Sequence, residues 1–201
     1  MSLIEALRHH TRAQYEALHQ HPLLAGLSDD RLTLDDFHHI LLAFDAYYTH
    51  AEAACFAGWP EHAPNAPVLA WLASDLAQHR LDSWADRVVF SHPPLDTPSK
   101  MAGYLYVKQG FTLGGQTISK HVERQLALIP HIDQWFFAGY HHDNGRQWKL
   151  FVEVIDGLDF HREDVVASAS QSFENLAWFC DSVVQLRQSS TLETPDPRLQ
   201  A

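Results

Sequence analysis

The chain is short of cysteine, of positive charge and of long apolar runs, and each shortage closes off a class of protein. Only Cys55 and Cys180 occur in 201 residues, in unlike settings. That excludes a small disulfide-stapled fold, and the expectation is two buried free thiols in a reducing cytoplasm. Fourteen Lys and Arg stand against 25 Asp and Glu, a formal net charge of -11. No cationic cluster is offered to phosphates, so no nucleic acid and no anionic membrane surface is expected as a partner. No window reaches the roughly 18 uninterrupted apolar residues of a transmembrane helix. The opening Ser2-Leu3-Ile4-Glu5 lacks the apolar core of a secretion signal, and the localisation is read as cytoplasmic. Sustained period-two alternation and hairpin turns between β-branched stretches are missing too, and no internal repeat is found.

What is present is a helical pattern with enough apolar residues, 46% of the chain, for a sizeable core. Ser2 and Glu5 form a capping-box pair, and the apolar period that follows predicts one helix to about Gln20, ended by Pro22. Thr33 should cap a second helix, with Asp35 and Asp36 in its first turn, stopping before Gly58-Trp59-Pro60. After a Pro-rich linker, a third helical region is expected from Val68 to about Phe90. Pro98 suits the first turn of a long helix that continues to about Leu128. A short helix near Ile132 to Ala138, a turn at Asp143-Asn144-Gly145, and helices over 146–155 and from Asp159 to about Leu186 complete the reading. The fold class is all-α: a single helical domain over 1–187 and a disordered tail over 188–201.

The long helix from Pro98 carries four interior glycines, Gly103, Gly110, Gly114 and Gly115. At about 1 kcal/mol each relative to Ala, they cost roughly 3–4 kcal/mol together. Gly103, Gly110 and Gly114 fall on one helical face. A face without side chains serves either tight packing of two helices or the close approach of backbone to a flat ligand. Spacing alone leaves both readings open.

The stretch Gly103-Tyr104-Leu105-Tyr106-Val107, continued by Gly110, Thr112-Leu113-Gly114-Gly115-Gln116, resembles the distal-helix signature of bacterial, biliverdin-producing heme oxygenases. Leu7-Arg8, Thr11, Leu18 and His21-Pro22-Leu23-Leu24 are similar to that family's opening segment. Trp135-Phe136-Phe137, Gly139-Tyr140, Gly145-Arg146, Trp148 and Phe151 are similar to a later one. The resemblance implies a heme-oxygenase-like helical bundle with heme held between the first helix and the glycine-bearing helix. It also implies cleavage of heme by dioxygen to biliverdin, carbon monoxide and ferrous iron. Electrons would come from an external donor, a reductase or ferredoxin, and the product points toward a bacteriophytochrome pathway. By the same likeness Gly110, Gly114 and Gly115 are the distal glycines. Arg8 and Arg12 are expected at the heme propionates, with Lys108, Arg146 and Lys149 as further candidates.

Two positions depart from the family pattern. The proximal histidine stands four residues after the threonine, and here that position is Tyr15. Tyr15 is either a core aromatic with its hydroxyl hydrogen-bonded or a tyrosinate ligand to the heme iron. The third reading gives ligation to His19, one turn on, or to another histidine. Phe111 occupies a position next to the first distal glycine that usually carries a small or polar residue serving proton delivery. It either fills space over the heme or turns into the core. Gln109 replaces a glutamate common in bacterial members. The readings carried forward are a heme oxygenase, a fold relative that binds a tetrapyrrole or other ligand without turnover, and a di-iron oxidase built around Glu16 and His19.

Overall fold

The computed structural model describes residues 2–55, 59 and 63–192, with side chains to 189. Its first helix starts as the sequence asks: Ser2 Oγ accepts from the Glu5 amide at 3.2 Å while Glu5 accepts from the Ser2 amide at 2.7 Å. The helix does not run unbroken to Gln20. It divides into α1 (Leu3–His10) and α2 (Arg12–His19) at Thr11, whose buried hydroxyl donates to the Leu7 carbonyl at 2.8 Å. Such back-bonding competes with the helical ladder and bends it.

Thr33 caps α3 (Leu34–Ala53) through the Asp36 amide, and Thr97 caps α5 (Pro98–Leu126) with Pro98 in its first turn. Both starts match the sequence signals. The ends do not. α3 stops at Ala53, ahead of Gly58 and Pro60, which lie outside the described residues. α4 (Val68–His79) ends far short of Phe90. Arg80 turns left-handed at φ 55°, and the Leu81 amide donates back to the Leu76 carbonyl at 2.9 Å. That is a Schellman closure without its usual glycine.

No helix forms over 132–138. Asp75 of α4 reaches in, and its two oxygens accept the amides of Trp135 (2.7 Å) and Phe136 (2.9 Å), holding the segment in turns. The Asn144-Gly145 pair begins α6 (Asn144–Asp156) instead of making a turn. Asn144 is buried, accepting from the Tyr140 amide at 2.7 Å and donating to the Ala138 carbonyl at 3.3 Å. α7 (Arg162–Leu192) passes the expected end near Leu186, and the rest of the expected tail, 193–201, lies outside the described residues.

α5 and α7 are the long central pair; α3 packs on α7 and α4, α6 lies on α5, and α1 and α2 both lie against α7. The core between them is aromatic, with Phe37, Phe44, Tyr47 and Tyr48 of α3 meeting Tyr104 of α5, Phe151 of α6 and Phe179 of α7. Among the described residues no helix is long and apolar enough to cross a membrane. Cys55 and Cys180 are free thiols.

Candidate functional site

A cavity of about 750 Å³ opens between α2 and α5. Arg8 of α1 and Tyr15, Leu18 and His19 of α2 line one side. Tyr106, Gly110, Phe111, Gly114 and Thr117 lie on the other, and Phe44, Phe137, Trp148 and Phe173 add aromatic surface. The volume and the apolar lining with a few polar groups are those of a small-molecule site.

The glycines of α5 divide between the two readings left open. A Cβ on Gly110 or Gly114 would meet nothing within 4 Å. A Cβ on Gly103 would sit 2.3 Å from the Val165 carbonyl oxygen, and one on Gly115 2.6 Å from that of Phe137. Gly103 and Gly115 therefore permit close packing, against α7 and the 135–140 turns. Gly110 and Gly114 keep the cavity wall bare. Gly115, read as a distal glycine, does not line the cavity.

Tyr15 is not a core aromatic, being 46% exposed at the cavity. Its hydroxyl and His19 Nε2 are 3.3 Å apart, their rings 4.4 Å apart, and the edge of Phe173 stands 6.2 Å away. Phe111 does not turn into the core either. It lines the cavity between Phe44 (ring centroids 5.6 Å) and Phe173 (6.1 Å). Tyr15 and Phe111 each touch Phe173, and the space between α2 and α5 stays open.

The basic residues are sorted differently from expectation. Arg8 lines the cavity, but Arg12 points to solvent, where its Nε lies 2.7 Å from Glu16. Lys108 is 2% exposed and donates to Glu52 (2.5 Å) and Asn65 (2.6 Å), with Tyr104 donating to the same Glu52 oxygen. Burial pulls the Lys108 ammonium below its usual range, opposed by Glu52. Arg146 and Lys149 are exposed and away from the lining, and Gln109 is buried outside it.

Lys120, His121 and Arg124 line the cavity and were not singled out in the sequence. Their signal was there: Tyr106, Gly110, Gly114, Thr117, Lys120, His121 and Arg124 follow three- and four-residue steps along one side of α5. His121 Nε2 donates to the carbonyls of Asp29 (2.8 Å) and Gly26 (3.2 Å), leaving Nδ1 to accept from Arg124 at 3.3 Å. The 24–28 segment is thereby tied to α5 at the cavity's edge.

Among the described residues no three His, Cys, Asp or Glu side chains converge as a metal site. Glu16 is paired with Arg12, so the Glu16–His19 spacing gains no partners for a di-iron centre.

No family model and no curated protein matches the sequence. Solved structures do match in shape. The heme oxygenase from Neisseria meningitidis, solved with NO and CO bound, superposes at TM-score 0.68 with 16% identity over 91% of this chain and 92% of that one. The heme oxygenase from Leptospira interrogans gives 0.71 and 17%, over 90% of this chain and 100% of that one. Heme oxygenase-1 from the cyanobacterium Synechocystis, solved in complex with heme, gives 0.67 and 13%, over 98% and 100%. The fold of this chain is the heme oxygenase fold.

Proposed function

We propose that the protein binds heme in the cavity between α2 and α5 and opens the macrocycle oxidatively to biliverdin. The observation that carries the reading is the pair Gly110 and Gly114, open above the cavity on a helix whose other two interior glycines are tightly packed. An iron porphyrin is flat, apolar on its faces and anionic at one edge. The cavity answers with bare backbone on one side, aromatic surface around it, and cationic side chains in Arg8, Lys120 and Arg124. Tyr15 and His19 line the side of the cavity opposite the glycines, the Tyr15 hydroxyl and His19 Nε2 engaged with each other at 3.3 Å, and either would serve as the iron's ligand once that contact opens. Heme supplies the iron at which dioxygen is activated, with electrons from an external donor such as a reductase or ferredoxin.

The chain's own residues hold and exclude. Gly110 and Gly114 admit the ring; Leu18, Phe44 and Phe173 strip water from it. Tyr15 stands at the candidate ligand position, and His19, hydrogen-bonded to its hydroxyl, would accept the phenol proton if the oxygen bound iron. Titration of the purified protein with hemin should give a saturable shift of the porphyrin band, and addition of a reductant and oxygen should yield biliverdin. Gly114→Leu should abolish the shift. A wild type without a shift refutes the reading.

A second reading rests on Phe111. Its ring stands at the cavity wall beside Gly110, and a phenyl group passes no proton. On that reading heme or another tetrapyrrole is held and not opened. Hemin binding without biliverdin, with turnover appearing in the Tyr15→His, Phe111→Ser double variant, would establish it over the first.

A further inference from the structure

We infer that His38 of α3 and His79 of α4 form a two-histidine chelate for a divalent transition-metal ion, zinc, nickel or copper in kind, outside the cavity. The inference does not depend on the heme reading.

His38 Nε2 and His79 Nδ1 are 3.2 Å apart, with ring centroids 5.0 Å apart and ring planes at 60°. Two imidazoles on one tetrahedral ion, at metal–nitrogen distances of about 2.0–2.1 Å, place their nitrogens about 3.3 Å and their centroids about 5.2 Å apart. A straight N–H···N hydrogen bond with the same nitrogen separation would put the centroids about 5.5 Å apart. His141 and His142 show that straight arrangement, with Nδ1 atoms 3.2 Å and centroids 5.5 Å apart. The His38 and His79 rings are bent off the line, as a shared ion requires.

The surroundings hold the pair as metal ligands are held. His79 Nε2 donates to the Asp133 carbonyl at 2.9 Å, which fixes the tautomer and leaves the Nδ1 lone pair facing His38. Phe37 packs against the same ring at 5.6 Å. Asp133 is itself fixed, its carboxylate accepting from Gln78 and from the Ile129 amide, each at 3.0 Å. Asp35, one turn before His38, adds negative charge that favours a cation. Without the ion, His38 Nε2 donates to His79 Nδ1; the ion takes that proton's place, and His38 carries its proton on Nδ1 instead. Paired imidazoles suit zinc, nickel and copper rather than magnesium or calcium. Among the described residues no third side chain converges there, so water completes the coordination. The ion would join α3, α4 and the turns after Asp133, which lead to Phe137 at the cavity wall.

The test uses Zn(II) alone, on the full chain without hemin, in competition with a zinc-sensitive dye. The wild type should withdraw one equivalent of zinc ahead of any weaker binding by its other histidines. His38→Gln and His79→Gln should each lower the affinity of that equivalent at least about tenfold, and H141Q/H142Q should leave it unchanged. Glutamine at 79 retains a donor for the Asp133 carbonyl, and circular dichroism checks that each variant is folded. Zinc at about a hundred times its Kd should raise the melting temperature of the wild type by about 5–10 °C, and that of His38→Gln and His79→Gln by far less. Equal affinity in the wild type and both single variants would overturn the inference. So would a loss confined to H141Q/H142Q, or a wild type that takes no zinc ahead of the dye.

Discussion

At the scale of single residues, four glycines of the same helix should respond to alanine in opposite ways. Gly110→Ala and Gly114→Ala place a methyl in open space and gain helix propensity, so the ligand-free protein should be stabilised by up to about 1 kcal/mol. Gly103→Ala and Gly115→Ala drive a methyl into backbone carbonyls and should cost about 1–3 kcal/mol. Thermal unfolding of the four variants without ligand measures the split, and equal effects would deny it. Asp75 gives a pH prediction. Burial pushes its carboxyl up to about 7 even though two backbone amides donate to it. A folded value above the unfolded one means the contribution is full below about pH 4 and is lost as pH rises through about 7. The wild type should therefore lose stability relative to Asp75→Asn between about pH 5 and 8, read from denaturant midpoints at each pH. Neither behaviour was legible beforehand. Spacing placed Gly103, Gly110 and Gly114 on one face, but a face that long meets α7 at one height and the cavity at another. The lone Asp75 carried no sign that it would be claimed by amides 60 residues away.

At the scale of elements, helix starts were readable because their chemistry is local: Ser2 with Glu5, Thr33 with Asp36, Thr97 before Pro98. Stops were readable only where glycine or proline announces them. α5 stops at Leu126, close to the expected Leu128 ahead of Pro130, whereas α4 stops at His79, before a residue that spells no stop in a sequence; Arg80 and Ala127, which follow the two helices, are both left-handed near φ 55°. Arg80→Gly and Ala127→Gly should relieve that strain and each raise the melting temperature by about 1–4 °C. Gln78→Gly, inside α4, should lower it. The same limit explains Thr11. A threonine in a helical pattern is ordinary, and only the buried environment makes its hydroxyl prefer the Leu7 carbonyl. Likewise Asn144 looked like half of a turn dipeptide until the 138–140 backbone took both ends of its side chain.

At the scale of the whole molecule, the all-helical class followed from periodicity, and the arrangement of the helices followed from resemblance, not from physics applied to one chain. The site was half legible. Tyr15, His19, Arg8, Gly110, Phe111 and Gly114 do line one cavity, whereas Arg12 and Gly115 do not. Lys108 shows why: a lysine next to the glycines reads as a ligand for an anion, yet here it is spent joining α3 to α5 through Glu52. Replacing it with Met would leave the half-buried Glu52 carboxylate with the Tyr104 hydroxyl but without its cation, at a cost of about 1–3 kcal/mol in unfolding free energy. A loss below about 1 kcal/mol would mean the pair contributes little.

The interruption at Thr11 sets one wall of the cavity apart from the helix before it. It leaves α2 as a separate eight-residue panel that buries only Leu18, while α1 is moored by Ile4, Ala6 and Leu7. A helix that short has almost no stability of its own. With little buried on it, the panel should open more readily than the long helices of the bundle. Amide protons of residues 12–19 should thus exchange with deuterium ahead of those in α5 and become protected once hemin is seated.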